Sequence, residues 1–372
     1  MKAKIWLTNI ILSLLFFSAC DPATELKQEE QPILDEQISL KVSLNNSVES
    51  LADAVDAIKN SADFKLLSGI EPIVRENANV ALMAPDRRVD SVKILLSDIS
   101  GVYEYSWKKV KRTPNAILRF FDRTADDDNL IVRLPLQKIK NYHHLFIFAP
   151  IDTALTNNFE ASVSEYMLSR HFEKGMESQM NADLKIDNIP VGTINTQKTR
   201  NKINGFNFLS VYTLASGYAV LNQQNTGDTA VSVYSISKDD TVLYEEHITS
   251  YKVNSEPRHR EKIYSLTIGN VKIVRIPGPN SLDSAKVYVD GVLQTNSKVE
   301  IVMTQPDPEN LGFTNQKRDI KITFDDGTST TIRELKGSTV DDISSIFKSV
   351  RQVGFATEII DRIAANIFWQ KE

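Results

Sequence analysis

Between residues 46 and 65 the apolar positions keep a helical period. Val48, Leu51, Val55, Ile58 and Ala62 recur three or four residues apart, the spacing of one helix face. Asn46 with Glu49 three residues on predicts a capping-box start, and Gly69 a stop. A stripe at this spacing packs a core. Glu71-Pro72 and Ala84-Pro85 interrupt the next stretch, because the residue before a proline is pushed out of the helical region. From Val92 the period shortens to that of strands. Runs rich in β-branched and aromatic residues fall at Val102–Trp107, Ala116–Phe121, Leu130–Leu134, Leu145–Phe148, Phe159–Arg170, Met176–Lys185, Ser210–Leu221, Ala230–Ile236, Thr241–Val253 and Tyr264–Ile268. Asp187-Asn188, Gly269-Asn270 and Asp290-Gly291 are two-residue hairpin signals, and Asp325-Asp326-Gly327 is a longer one between the strand of Ile320, Ile322 and Phe324 and that of Thr328–Ile332.

Tight turns without intervening helices predict antiparallel pairing and exclude a parallel Rossmann-type sheet. At the C-terminus, Ser338 and Asp341 form a capping box ahead of Val340, Ile343, Phe347 and Val350. A second stripe, Phe355, Ile359, Ile363 and Ile367, follows Gly354. The expected fold is α+β: a predominantly antiparallel β-sheet with an early helix and a C-terminal helical pair. The expected regions are 37–175, the N-terminal helix plus a β region, and 176–372, an antiparallel β region closed by the C-terminal helices. Residues 184–191 echo residues 266–273 (Leu-Lys-Ile-Asp-Asn-Ile-Pro-Val against Leu-Thr-Ile-Gly-Asn-Val-Lys-Ile). A duplicated sheet unit and shared hairpin grammar explain the echo equally well.

The first twenty residues have a different pattern. Lys2 and Lys4 precede an apolar run, Ile5 to Phe17, and Ser18-Ala19 lead to Cys20. The run is shorter than the roughly 20 apolar residues of a membrane-spanning helix and has the flanks of a cleaved export signal. Phe17-Ser18-Ala19-Cys20 resembles a bacterial lipoprotein lipobox, with Phe17 where Leu is usual. The resemblance implies cleavage before Cys20 and acylation of its sulfur and new amine. Two or three chains anchor stably, at about 0.8 kcal/mol per buried methylene. Residues 21–36, with two prolines and mostly acidic or polar side chains, then read as a flexible tether.

Composition narrows the field. The chain has 372 residues, 41% hydrophobic, enough for a sizeable core. Its formal net charge of −5 argues against nucleic-acid binding, which needs a dominant basic face. The single cysteine excludes a disulfide framework and a thiolate metal site. No cofactor is expected: phosphate-cradling and zinc-protease motifs are missing. Ser106 with Lys109 and Ser345 with Lys348 match S-x-x-K, where a desolvated lysine activates a serine one helical turn away. The first pair begins in a strand and the second lies on a polar helix side, so both read as chance matches. His143-His144 would point to opposite faces of a strand, which argues against a metal site. Asp126-Asp127-Asp128 lacks the interleaved glycine turn of a calcium loop and reads as a solvated acidic loop. Lys108 to Arg112, beside Trp107 and Tyr105, reads as a charged hairpin tip, with an anion or glycan grip as the sharper alternative.

The triad of Asp, then Ser or Thr, then a small or apolar residue recurs at Ser91, Thr153, Thr229, Thr241 and Ser284. It resembles the O-glycosylation sequon of Bacteroidota, although Asp-Ser and Asp-Thr are also ordinary turn dipeptides. With the lipobox it makes the chain resemble a Bacteroidota lipoprotein. That resemblance implies a membrane partner through the Cys20 lipid anchor and a place at the outer membrane, on its periplasmic face or the cell surface. The functional expectation is a non-catalytic binding, assembly or structural role, with a glycan or another envelope protein as partner. The alternative is an envelope hydrolase acting on glycan or peptide. Two carboxylates about 5–9.5 Å apart in an aromatic cleft would favour that alternative.

Overall fold

The computed structural model describes residues 39–69, 91–106, 121–135, 156–171, 175–201, 205–252, 260–276, 284–304, 317–337 and 339–371. The chain divides into two compact units, Met1–Gln37 and Ile38–Glu372, and every described residue belongs to the second. The early helix, α1 (Leu40–Asn60), starts six residues before the expected capping box. Leu40 and Leu44 continue the apolar stripe backwards and are buried, so packing overrides the local signal at Asn46 and Glu49. Ser61 then caps a second short helix, α2 (Ala62–Ser68), which ends at Gly69.

The sheet is antiparallel with one exception. β1 (Ser91–Leu95), a helical turn α3 (Leu96–Ile99), β2 (Gly101–Tyr105), β3 (Phe121–Ala125) and β4 (Leu130–Leu134) form its first corner, where β2 and β4 run parallel. From β5 (Phe159–His171) it becomes a continuous meander: β6 (Gly175–Ile186), β7 (Ile189–Asn201), β8 (Gly205–Leu214), β9 (Tyr218–Thr226), β10 (Thr229–Lys238), β11 (Thr241–Lys252), β12 (Arg260–Ile268), β13 (Val271–Ile276), β14 (Ser284–Val289) and β15 (Val292–Leu293). β5 is long enough that β4 and β1 share one of its edges, paired at Phe159–Val163 and Met167–His171 respectively. The meander crosses residues 175 and 176 unbroken, β5 and β6 being paired along their lengths. A second sheet contains β16 (Lys298–Thr304), β17 (Lys317–Thr323) and β18 (Ser329–Thr331). The α+β class, the early helix and the C-terminal helical pair are all present. The pair is α4 (Ile332–Lys336) and α5 (Thr339–Lys371), divided at Gly337 rather than at Gly354, which α5 passes straight through.

The turns follow the sequence signals closely. Asp187-Asn188 and Asp290-Gly291 take positive φ at both central residues, the type I′ pattern that matches strand twist. Asp239-Asp240 does the same without a glycine to announce it. The expected single strand Ser210–Leu221 is instead β8 and β9, split at Ala215-Ser216-Gly217, with Gly217 at φ +88°. The two echoed segments are both hairpins, β6–β7 and β12–β13, and they differ at one informative position. Gly269 stands where the first has Asp187, because a Cβ there would lie 2.7 Å from Ser47 Oγ on α1. Ser47 also donates to Asn270 Oδ1 at 3.0 Å, so α1 rests directly on that turn.

One face of the meander carries the core. Leu184, Ile194, Tyr212, Val220, Ile236, Tyr244 and Ile268 are nearly inaccessible and join one cluster with Leu51, Ile58, Ile346, Ile359 and Ile363 of α1 and α5. Each such side chain contributes about 1.5–3 kcal/mol by leaving water. The opposite face carries charge ladders. Arg133 bridges Glu104 at 3.0 Å and Glu160 at 2.8 Å, and Glu160 also takes Lys185 at 3.2 Å. Burial opposes ionisation of Glu160, but the two cations outweigh it and its pKa is lowered. Among the described residues no helix is long and apolar enough to cross a membrane.

Candidate functional site

Strand register explains where the core stops. Row by row across the meander, Ile194, Tyr212, Val220, Ile236, Tyr244 and Ile268 are direct partners, and all are buried. Two residues along each strand, on the same face, the next row reads Thr196, Ser210, Asn222, Tyr234 and Glu246. The inward face of the sheet therefore changes from apolar to polar within one pleat. A further row, Lys198, Phe208, Gln224, Ser232 and Ile248, is half-buried and mixed.

Over these rows lies α5. It is held at two places. Lys59 of α1 meets Asp342 at 2.6 Å. Asp361 receives Lys198 Nζ at 2.8 Å and Tyr166 OH at 3.1 Å. Burial first, and then the Asp361 charge, push the Tyr166 phenol well above its usual pKa, so it remains a donor. Between the two clamps the helix and the sheet enclose a cleft of about 540 Å³, within the usual size of small-molecule sites. Ile194, Val220 and Tyr244 form its inner edge, Asn222 and Glu246 the floor, and Phe347 the wedge above. Phe347 meets Tyr234 edge-on at 5.8 Å and Tyr244 at 6.4 Å, a favourable aromatic arrangement.

The polar groups of the cleft fall into two sets. Glu246 Oε1 accepts from Tyr244 OH and from Tyr264 OH at 3.3 Å, and Gln224 Nε2 donates to Tyr234 OH at 3.1 Å. Burial, and then the Glu246 charge, raise the pKa of both phenols that face it. These groups hold one another. The second set is unengaged: Asn222 Oδ1 is buried without a donor, and the exposed cations Lys348 and Arg351 have no ion pair among the described residues. Among the described residues, Glu246 is the one carboxylate lining the cleft.

Among the described residues, the candidate sites singled out from the sequence do not converge on this cleft. Ser91, Thr229, Thr241 and Ser284 each stand exposed at the first position of a strand. Arg260 fixes the approach to Thr229 by donating to the carbonyls of Gly227 at 3.3 Å and Asp228 at 2.8 Å. Cys20, Thr153, the His143-His144 pair, Trp107 and the Lys108–Arg112 cluster lie outside the described residues. Asp126, Asp127 and Asp128 are exposed, and Asp127 caps its own turn by accepting from Asn129 N at 2.8 Å. Ser345 is exposed on α5, and its S-x-x-K partner Lys348 borders the cleft. Among the described residues no group of three His, Cys, Asp or Glu side chains is placed to hold a metal ion.

The cleft residues were missed because none forms a local motif. Their only sequence signal is a polar residue in phase with buried apolar ones: Thr196 after Ile194, Ser210 before Tyr212, Asn222 after Val220, Glu246 after Tyr244. No known protein family, curated protein or solved structure matches the chain.

Proposed function

We propose that this chain is a lipid-anchored cell-envelope protein that binds a small ligand, without catalysis, in the cleft between the sheet and α5. The observation that carries the binding role is the polar row Thr196–Ser210–Asn222–Tyr234–Glu246 directly beside a buried, mainly apolar row, opposite a helix clamped at Asp342 and Asp361. Leaving polar side chains on a core-facing surface is unfavourable unless they are paired or solvated, so their alignment favours a space kept open for an occupant. The lipid anchor rests on Lys2, Lys4, the apolar run and Cys20. Outer-membrane attachment and a Bacteroidota origin extend the same resemblance. Exposed Ser91, Thr229, Thr241 and Ser284 suit O-glycosylation, since a transferase needs an accessible hydroxyl.

Two measurements test this reading. Cells fed an alkyne fatty acid should label the wild-type protein and not Cys20→Ser, which should leave the membrane fraction. An unlabelled wild type would refute the anchor. Native mass spectrometry of protein taken from its own membranes should show a small-molecule adduct that Ser210→Trp, which fills the cleft, eliminates. An adduct retained in a folded Ser210→Trp would place binding elsewhere and overturn the cleft.

A further inference from the structure

The cleft has a gradient of polarity. Its inner edge is the buried row of Ile194, Val220 and Tyr244 with Phe347 above. The floor then turns polar at Thr196, Ser210 and Asn222, and Asn222 Oδ1 is an acceptor with no donor. Last come Lys348 and Arg351, exposed and without an ion pair among the described residues. They lie one helical turn apart on the α5 face that borders the cleft, so they can act on one group. In a chain of net charge −5, two cations at one site with no ion pair among the described residues are a local reversal of the average field.

We propose that the cleft takes an anionic amphiphile. Its apolar body lies along the Val220 and Phe347 edge, and its phosphate or carboxylate meets Lys348 and Arg351. This rests on the cleft being the binding site and names the class of ligand it selects. Each part of the molecule answers one feature. The apolar row rewards a tail through burial. The cations select the sign of the head group and supply charge-assisted hydrogen bonds.

The test uses the full chain and four probes below their micelle concentrations, with affinity read by isothermal titration calorimetry. Lauroyl lysophosphatidate has tail, hydroxyl and anion. Dodecyl phosphate lacks the hydroxyl, monolaurin lacks the anion, and glycerol 3-phosphate lacks the tail. Lauroyl lysophosphatidate and dodecyl phosphate should each bind at least tenfold more tightly than monolaurin, and glycerol 3-phosphate should not bind measurably. Lys348→Gln with Arg351→Gln should bring lauroyl lysophosphatidate to the affinity of monolaurin, with the affinity for monolaurin and the melting temperature unchanged. Monolaurin binding as tightly as lauroyl lysophosphatidate, or a double variant binding like wild type, overturns the anionic head while leaving the cleft as a binding site. Dodecyl phosphate binding no more tightly than monolaurin overturns the anionic head as well. Glycerol 3-phosphate binding as tightly as the lipid overturns the tail. If Ser210→Trp is folded and still binds every probe, the cleft reading itself fails.

Discussion

Asn222→Leu should make the protein more stable, an unusual outcome for a substitution in a strand interior. Asn222 sits on β9 between Ser210 and Tyr234, with Val220 one pleat away, and its Oδ1 has no donor. A buried acceptor left without a partner costs about 1–3 kcal/mol. Leucine has the same branched skeleton of four side-chain heavy atoms with bulkier methyl ends, so it removes that cost without opening a cavity. Part of the gain is offset because the new methyl groups face the cleft rather than packed core. The expected net gain is about 1 kcal/mol, near 2 °C in melting temperature for a chain of this size. Urea unfolding followed by far-ultraviolet circular dichroism measures it directly, with an unchanged m-value as the check that compactness is unaltered. Asn222→Asp should fall on the other side, destabilised by several kcal/mol, since it places a charge where an amide is already unsatisfied. A loss of 1 kcal/mol or more in Asn222→Leu would mean that the oxygen has a donor, and the argument from an orphaned acceptor would fall.

Asp63, 5% exposed, accepts from Ser216 N at 2.8 Å and Phe64 N at 2.9 Å, tying α2 to the β8–β9 turn. Burial opposes its ionisation, but bonds from Ser61, Ser216 and Phe64 outweigh it and lower its pKa. Its ionised form therefore stabilises above the unfolded value of about 3.9, and that contribution is lost as pH falls through the lower folded pKa. Asp63→Asn should cost about 1–3 kcal/mol at pH 7, and urea unfolding should find the gap from wild type narrowed at pH 3; a gap independent of pH would refute it. Gly354→Ala should stabilise by about 0.5–1 kcal/mol, because Gly354 is interior to α5 and an added Cβ meets nothing within 4 Å. A destabilised Gly354→Ala in thermal melts would mean that α5 breaks there after all. Asp326, held by Lys41 Nζ at 2.7 Å and by Thr328, should titrate at about 2 by NMR, and Lys41→Ala should return it toward an ordinary carboxylate value; an unmoved titration would show that Thr328 alone suffices.

Much of the fold was legible along the chain. Leu51, Val55 and Ile58 mark α1, and the Asp-Asn and Asp-Gly pairs mark hairpins because few residues tolerate positive φ. Local signals failed where longer contacts outweighed them. Asn46 and Glu49 look like a helix start, but Leu40 and Leu44 gain more by packing. Gly354 looks like a helix stop, but Val353, Ala356, Ile359 and Ile360 are buried on either side of it and hold the helix together. Asp239-Asp240 turns without glycine, which no turn dipeptide rule singles out.

The division has one physical cause. Period-two alternation and turn chemistry act between neighbours in the chain, so the sequence alone determined an antiparallel meander with a helix at each end. Thr196, Ser210, Asn222, Tyr234 and Glu246 are separated by twelve to fourteen residues each, and none is notable in its own strand. Only strand pairing sets them side by side, and the clamps at Asp342 and Asp361, together with the buried apolar face of α5, seat that helix above them. Register and helix docking are properties of the folded chain, and the cleft exists because of both.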